Sequence, residues 1–449
     1  MSGAAIQSLK DQISAIRAAR PLARVAGIGG GLLRISGAGS EWSMGDRVLI
    51  EPAAGPPLAG EIVLLDAAGA AVLADRTTDG IRLGDPALLV GDTGIRPHDG
   101  WIGRIIDPFG QPLDGAPLSP GPVCRPLKAA PPPAAARGRL GKRLETGMRL
   151  FNTLLPLVRG QRIGLFAGSG VGKSSLLAAF ARHLEADLTV VALIGERGRE
   201  LREFAEDVLG PEDRARSIII AATSDQSALV RRRCAWAAMA VAEHYRDLGR
   251  HVLFLADSVT RLAEAHREIA LSAGEAASLR GYPPSTAPLV MSLAERAGPG
   301  HRPAGAGGGD ITAVFSVLVA GSDMDEPIAD ILRGTLDGHV VLDRAIAERG
   351  RYPAVDLLRS VSRSLPHAAD ATENRLIARA RQLLGAYARA EMMIRAGLYA
   401  SGSDPLIDAA IRAWPELDAF MAEDEPQGAA QSFSRLADIL DRADRPGHG

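Results

Sequence analysis

A glycine-rich segment between two apolar runs has the residue types of a phosphate-binding loop. The strand-like run at 162–167 leads into GSGVGKS at 168–174, and an apolar helix start follows. Glycines let consecutive backbone N–H groups surround phosphates, and a helix N-terminus adds partial positive charge. A lysine in such a loop reaches the terminal phosphates, and the hydroxyl after it binds Mg²⁺. The predicted nucleotide-binding residues are Gly168, Ser169, Gly170, Val171, Gly172, Lys173, Ser174 and Ser175, with Lys173 also catalytic and Ser174 also a Mg²⁺ ligand.

One position departs from the Walker A pattern GxxxxGK[ST], because Ala167 stands where the first glycine is expected. A small residue fits there if its backbone angles are in the ordinary range for L-residues. The interpretation as a phosphate loop is therefore kept.

Two carboxylates follow other apolar runs. Asp257 ends the run at 251–257, and parallel α/β sheets bind ligands at the carboxyl ends of their strands, so Asp257 is predicted to hold Mg²⁺ directly or through water. Glu196 follows the run at 188–194 and is the candidate to orient the attacking water. The later glutamates of this segment have helical spacing and are predicted to form a solvated face: Glu200, Glu203 and Glu206.

The elements before this region predict a small antiparallel barrel. From 24 to 90 the chain has short Val-, Ile- and Leu-rich runs separated by glycine-rich turns. Residues 1–20 have the apolar spacing of one amphipathic helix, interpreted either as a plain terminal helix or as a docking helix for a partner. The barrel strands are predicted at 32–35, 47–50, 61–65, 71–73 and 87–90.

Beyond the barrel, a surface connector at 117–133 contains seven prolines and can be neither a helix nor a central strand. Strand-like runs then alternate with helix-length segments, which predicts a parallel sheet covered on both faces. After Pro366 only helical spacing continues, as at 369–396 and 405–420. The predicted strands are 162–167, 188–194, 217–221, 252–256 and 311–319, and the predicted domains are 1–20, 21–95, 96–365 and 366–449.

Composition narrows the class of protein. The formal charge of −2 argues against a general polyanion binder, and Cys124 and Cys234 are too few for a disulfide framework or a zinc site. Both cysteines are interpreted as small core residues. No run of about 18 apolar residues and no charged-then-apolar leader occurs, so a cytoplasmic protein is expected.

Several motifs together resemble one family. The phosphate loop, GERGRE at 195–200, DSVTR at 257–261 and GYPPS at 281–285 occur in the order and spacing of the type III secretion ATPases. That family is similar to the catalytic beta subunits of rotary ATP synthases. The resemblance extends from 24 to 420. Further matching segments are GRIIDPFGQPLDG at 103–115, DEPI at 325–328, LDGHVVLD at 336–343, RYPAVD at 351–356 and SVSR at 360–363.

The resemblance implies a fold and a set of roles. The fold is α/β, with a small N-terminal β-barrel, a central RecA-like parallel-sheet ATPase core and a C-terminal helical domain. It implies Glu196 as the catalytic base or water-orienting carboxylate, Arg197 beside the phosphates and Arg261 near the same site. It also implies Tyr352 as the aromatic that stacks on adenine and Arg363 as the arginine inserted into the adjacent subunit's site. ATP and Mg²⁺ are the implied substrate and cofactor.

The function implied is ATP hydrolysis coupled to protein export through a type III apparatus, with the flagellar apparatus favoured over a virulence-type one. The segment IRAGLYASGSDP at 394–405 resembles the export family and argues against a rotary synthase subunit. The implied partners are identical chains in a homohexamer, the export apparatus, a regulatory stator protein, and export chaperones and substrates. Peripheral association with the inner membrane is expected. A nucleic-acid translocase is the remaining alternative, disfavoured because Trp42 is the single Phe, Trp or Tyr in residues 1–100.

Three features depart from the family pattern or stand outside it. The segment after GYPPS, at 286–293, lacks the Val-Phe pair usual in the family. Residues 298–309 are unusually glycine-rich and are interpreted as an insertion-like loop. From 404 to 449 ten acidic residues face four arginines, which predicts a surface for export substrates or chaperones, with a plain solvated face as the alternative; Glu423, Asp424 and Glu425 are its proposed test residues.

Overall fold

The computed structural model describes residues 22–91, 94–301, 308–319 and 324–445. The predicted helix at 1–20 lies outside the described residues. Six strands close into an antiparallel barrel in the order β1-β2-β5-β4-β3-β6, so the barrel prediction is confirmed. The strands are β1 (Leu22–Gly29), β2 (Leu32–Ser36), β3 (Arg47–Ile50), β4 (Leu58–Asp66), β5 (Gly69–Ala74) and β6 (Pro86–Gly91).

The interior of the barrel follows from side-chain alternation. Ala23 and Val25 on β1 point inward, and their neighbours along the strand are exposed. Trp42 is 3% exposed and belongs to the same apolar cluster. A base-stacking aromatic must present its ring at the surface, so this tryptophan is unsuited to binding nucleic acid.

The central sheet has nine strands in the order β15-β14-β8-β13-β11-β9-β10-β7, with β12 paired to β13. All pairs are parallel except β14 with β15 and β12 with β13. The fold class is thus confirmed. The strands are β7 (Ile105–Ile106), β8 (Arg162–Ala167), β9 (Leu188–Glu196), β10 (Ser217–Thr223), β11 (His251–Asp257), β12 (Gly298–Pro299), β13 (Asp310–Leu318), β14 (Gly338–Leu342) and β15 (Val355–Ser362).

Helices cover both faces of this sheet, as the near-continuous apolar strands predict. The helices are α1 (Arg149–Asn152), α2 (Lys173–His183), α3 (Gly198–Glu203), α4 (Gly210–Arg214), α5 (Ala228–Asp247), α6 (Val259–Ser272), α7 (Thr286–Arg296), α8 (Pro327–Thr335), α9 (Arg344–Glu348), α10 (Ala371–Arg395), α11 (Pro405–Phe420) and α12 (Ala429–Asp444).

Alternate residues of each core strand enter two different apolar clusters. On β9, Val191 and Leu193 pack with α2 and the C-terminal helices, whereas Val190 and Ala192 pack with α5. The C-terminal helices therefore share a core with the sheet. No helix among the described residues is long and apolar enough to cross a membrane.

Of the two cysteines interpreted as core residues, the structure confirms Cys234 and corrects Cys124. Cys234 is fully buried on α5, but Cys124 is exposed in the proline-rich connector. The connector prediction is confirmed, because no helix or strand is assigned between 107 and 133. Trp101 donates from Nε1 to the carbonyl of Ser119 at 2.9 Å and so fixes the connector to the core.

The structure describes the two ends of the glycine-rich stretch at 298–309. These ends form backbone contacts and are not simply an inserted loop. Gly298–Pro299 forms β12, and the amide of Gly300 donates to the carbonyl of Gly309 at 3.1 Å. A Cβ on Gly309 would collide with the carbonyls of Arg246 and Arg250, so close backbone packing requires a glycine there. Residues 302–307 lie outside the described residues.

Within the acidic group 423–425, Glu423 and Glu425 are engaged in ion pairs, whereas Asp424 is exposed. Glu425 is 4% exposed, and its carboxylate accepts from Arg149 Nη2 at 3.2 Å and from the amide of Gln427 at 3.0 Å. Glu423 also pairs with Arg149. These carboxylates fasten the loop before α12 to α1.

Charge reversal of Glu425 is therefore expected to destabilise the protein. Glu425→Lys should lower the free energy of unfolding by about 2 to 5 kcal/mol, because it leaves the partly buried Arg149 facing a like charge. Denaturant unfolding measures the change. Asp438→Lys, on an exposed position of α12, is the matched control and should leave stability within about 0.5 kcal/mol. Equal stability of the two variants would contradict the structural role of Glu425.

Candidate nucleotide site

A cleft of about 980 Å³ lies at the carboxyl ends of three core strands. Ala167 ends β8, Glu196 ends β9 and Leu318 ends β13, and all three line it. Open parallel sheets bind ligands at this edge. Seven of the eight residues predicted to bind the nucleotide line the cleft: Gly168, Ser169, Gly170, Gly172, Lys173, Ser174 and Ser175.

The conformation of the phosphate loop requires its glycines. Gly170 and Gly172 have φ of 76° and 89°, a region that L-residues with side chains rarely adopt. Ala167 is the last residue of β8 and is not among the positive-φ residues, so alanine fits at that position. Val171, the eighth predicted residue, is 2% exposed and packs in the core, so its side chain anchors the loop rather than lining the cleft.

Helix α2 leaves its first amides available. It begins at Lys173, and its N-cap Gly172 supplies no side-chain hydrogen bond to the first turn. The initial N–H groups of a helix need partners from outside it, and phosphate oxygens are suitable acceptors. The absence of a capping side chain therefore suits an anion site.

Three charged side chains meet at the inner end of the cleft. Lys173 Nζ contacts Asp257, the last residue of β11, and lies 3.9 Å from Glu196 Oε1. Ser316 Oγ on β13 donates to Asp257 Oδ1 at 2.7 Å and orients that carboxylate. The lysine thus holds together the two carboxylates that the sequence assigned to metal binding and to catalysis.

The protonation of Glu196 is sensitive to this arrangement. Its pKa is raised to about 7, chiefly by burial and next by the charge of Asp257, whereas Lys173 lowers it. A carboxyl group with a pKa near neutral can exchange a proton at physiological pH, as general base catalysis requires.

A second cavity of about 150 Å³ adjoins the same carboxylates. Ser174, Glu196 and Asp257 line it together with Glu200 and Glu203. Glu200 lines both cavities, and its side chain is 42% exposed, so it is both solvated and part of the cleft. Glu206 also agrees with the interpretation as a solvated face, because it is exposed and pairs with Arg202.

Tyr352 lies directly against the phosphate loop. A Cβ built on Gly172 would come within 3.2 Å of its ring, and the side chain is 51% exposed. An exposed aromatic face beside a phosphate loop can stack on the base of a bound nucleotide.

Arg363 is far from the phosphate loop of its own chain. Its amide donates to the carbonyl of Asp337 at 3.0 Å, and the carboxylate of Asp337 accepts from the amide of Arg162 at 3.0 Å. Arg162 begins β8, five residues before Ala167 at the loop end. At about 3.3 Å per residue, the strand spans about 16 Å, so Arg363 lies near the end of β8 opposite to the loop, at a separation of about 16 Å. Its side chain is exposed.

The residues that line the rest of the cleft, beyond the phosphate loop and Glu196, were only partly predicted. Arg197 lines the cleft with a side chain that is 76% exposed, and Arg261 lines it while paired with Glu264 at 2.8 Å. Helical spacing along α6 could have placed Glu264 beside Arg261, and Arg267 beside Glu264. Further wall residues that sequence reasoning did not assign are Ser224, Arg231, Thr260, Glu264, Arg267, Arg280, Tyr282, Val319, Glu326 and Pro327.

The fold and the site together define a class of protein. A phosphate loop between a parallel strand and an uncapped helix, with a strand-end aspartate behind its lysine, is the arrangement of P-loop nucleoside triphosphatases.

Comparison with known proteins identifies the group within that class. Residues 147–362 match the ATP synthase alpha/beta family, nucleotide-binding domain, and residues 369–438 match the T3SS EscN ATPase C-terminal domain. The flagellum-specific ATP synthase of Caulobacter vibrioides is 45% identical over 440 residues, which is 96% of this chain and 99% of that protein. The type 3 secretion system ATPase of Pseudomonas syringae pv. syringae is 40% identical over 405 residues, 88% of this chain and 89% of that protein.

Solved structures agree. The assembled ATPase EscN from the type III secretion system of enteropathogenic E. coli has a TM-score of 0.86 at 34% identity, with 93% of this chain and 100% of that chain covered. EscN in complex with its central stalk EscO has a TM-score of 0.83 at the same identity and coverage. The chain belongs to the family of flagellum-specific ATP synthases and type III secretion ATPases. It is an ATPase, and the resemblance stated from the motifs is confirmed.

Proposed function

We propose that this ATPase drives protein export through a type III apparatus, and that the apparatus is flagellar. The observation that carries the proposal is the similarity to the Caulobacter flagellum-specific ATP synthase along almost the whole of both chains. Secretion ATPases of the virulence type are the second candidate, supported by the match to EscN.

Deletion of the gene in the source bacterium separates the two candidates. Loss of motility and of flagellar proteins from the culture medium is expected, with recovery by the wild-type chain and none by Lys173→Ala. Retained motility together with loss of a needle-type secretion profile would overturn the flagellar assignment.

In the proposed mechanism, the phosphate loop binds the phosphates of ATP and Lys173 neutralises their charge. Glu196, at the end of β9, orients the attacking water and accepts its proton. Arg197 and Arg261 on the cleft wall stabilise negative charge on the transferred phosphoryl group. Tyr352 stacks on adenine.

The residues around the second cavity fit a magnesium ion. Ser174 and Asp257 both line it, and oxygen donors of these types suit Mg²⁺. Ser174 and Asp257 would hold the ion, with Asp257 acting directly or through water. When bound, Mg²⁺ neutralises charge on the phosphates of ATP. No group of three or more His, Cys, Asp or Glu side chains suited to a metal occurs among the described residues, so phosphate oxygens and water would complete the ligand set.

The proposed assembly is a homohexamer in which Arg363 of each chain completes the neighbour's site. Its exposed position away from its own loop supports action in trans, and the matching structures show an assembled ATPase. A ring also accommodates a central stalk, as the EscN complex with EscO illustrates.

A regulatory stator protein, export chaperones and export substrates are the further proposed partners. We propose domain boundaries at 21–95, 96–365 and 366–449, and a cytoplasmic location at the inner face of the membrane beside the export apparatus.

A further inference from the structure

The loop between α6 and α7, residues 273–285, supplies part of the wall of the nucleotide cleft. Arg280 and Tyr282, near its apex, both line the cleft. Arg280 has φ of 50°, the one positive value among the described residues other than glycine, so the loop holds an uncommon backbone conformation there. Tyr282 lies under the guanidinium of Arg267, 5.3 Å from its ring centroid.

Hydrogen bonds close the two ends of this loop on each other. The Glu275 carboxylate accepts from the amide of Ser285 at 2.9 Å through one oxygen and from the Ser285 hydroxyl at 2.6 Å through the other. Inside the loop, the amide of Ser278 donates to the carbonyl of Tyr282 at 3.0 Å. A single carboxylate thus ties together residues ten positions apart in the chain.

His266 on α6 completes the arrangement. Its Nε2 lies 2.8 Å from Ser285 Oγ. A hydroxyl has one proton, and because Ser285 gives it to Glu275, the serine must accept from Nε2–H of the histidine. Burial, and then the charge of Arg232, lowers the pKa of His266 to about 4, which leaves a neutral ring with that single donor. Its Nδ1 is buried and has no hydrogen-bond partner.

We propose that Glu275, Ser285 and His266 form a clamp that holds Arg280 and Tyr282 in the nucleotide cleft, and that Glu275 and Ser285 are therefore positioning residues for ATP hydrolysis. Arg280 and Tyr282 line the same cleft as the phosphate loop, whereas Glu275, Ser285 and His266 are not among its lining residues. Without the clamp, a loop of this length samples many conformations. Arg280 and Tyr282 are then no longer held beside the phosphoryl group that reacts. The proposal rests on hydrolysis in this cleft, as described above.

Removal of the serine hydroxyl tests the clamp. Ser285→Ala is expected to lower kcat/KM for ATP hydrolysis by about 10- to 100-fold, because misplaced wall groups lose transition-state contacts. ADP affinity, measured by calorimetry, should stay within about twofold, because the phosphate loop is untouched. Ser285→Thr keeps the hydroxyl and should restore most of the activity. Equal loss in the alanine and threonine variants would overturn the proposal.

A double-mutant cycle separates positioning from a merely structural role. In a chain carrying Arg280→Ala and Tyr282→Ala, the clamp has no cleft side chains left to position, so adding Ser285→Ala should change kcat/KM by less than about twofold. The proposal fails if Ser285→Ala costs the same factor in both backgrounds, or if the Arg280→Ala, Tyr282→Ala chain is as active as the wild type. The wild-type rate, measured in parallel, tests hydrolysis itself and so keeps failure of the clamp distinct from failure of the proposed site.

Discussion

A chain carrying Arg363→Ala is expected to bind ATP with affinity near that of the wild type, yet to hydrolyse it about 10³-fold or more slowly in the assembled ring. Binding depends on the phosphate loop, which this substitution leaves intact. In the proposed mechanism, hydrolysis also needs Arg363 of the adjacent subunit to stabilise charge on the transferred phosphoryl group.

The geometry within one chain separates Arg363 from its own nucleotide site. Arg363 directly follows β15 and lies near the first residue of β8. The phosphate loop follows the last residue of β8. The separation of about 16 Å exceeds the reach of an arginine side chain, which extends about 7 Å. In a ring with head-to-tail interfaces, this edge of one subunit can meet the cleft of the next.

Mixed rings provide the decisive measurement. An Arg363→Ala chain keeps a functional loop, and a Lys173→Ala chain keeps a functional arginine, so some interfaces pair the two. With equal amounts and random assembly, about a quarter of the sites have both, and activity should recover toward that fraction if the sites act independently. Each variant alone should stay inactive.

Arg375→Ala is the control, because Arg375 is exposed near the start of α10. It should leave hydrolysis unchanged, with or without mixing. Rings that are shown to be mixed by differential tagging, and that recover no activity, would mean that Arg363 does not act across the interface.

The second large effect distinguishes Lys173→Ala from Glu196→Gln. Loss of Lys173 should weaken ATP binding by about 10- to 100-fold, because a charge-assisted contact with the phosphates disappears. It also leaves Asp257 and Glu196 facing the phosphates without their shared cation. Glu196→Gln removes one negative charge and keeps the side-chain shape, so binding should be unchanged or tighter.

The turnover number also distinguishes the two variants, because Glu196→Gln is expected to affect kcat rather than ATP binding. Glu196→Gln should lower kcat by about 10² to 10⁴, the contribution typical of a positioned acid or base, while KM stays near the wild-type value. Fluorescent-nucleotide titration and steady-state kinetics on the same preparations measure both quantities. Equal loss of ATP affinity in the two variants would contradict the roles assigned to them.

The sequence by itself determined the parts of this protein that depend on neighbours along the chain. The phosphate loop is a local structure, since a strand end, glycines with positive φ and a helix start are adjacent in sequence. Short apolar runs, glycine-rich turns and helical spacing are local too, and they predicted the barrel, the parallel sheet and the C-terminal helices. Asp257 and Glu196 could be placed because the carboxyl ends of parallel strands share one edge.

The tertiary structure alone decided which distant residues meet. Arg149 and Glu425 are 276 positions apart, and only packing of the C-terminal helices on the sheet reveals their contact as structural. Arg363 and the phosphate loop lie at opposite ends of the strands because β15 runs antiparallel to β14, a direction that spacing along the chain does not encode. The same holds for the clamp on the loop at 273–285, because a hydrogen bond depends on distance and direction in space rather than on residue type.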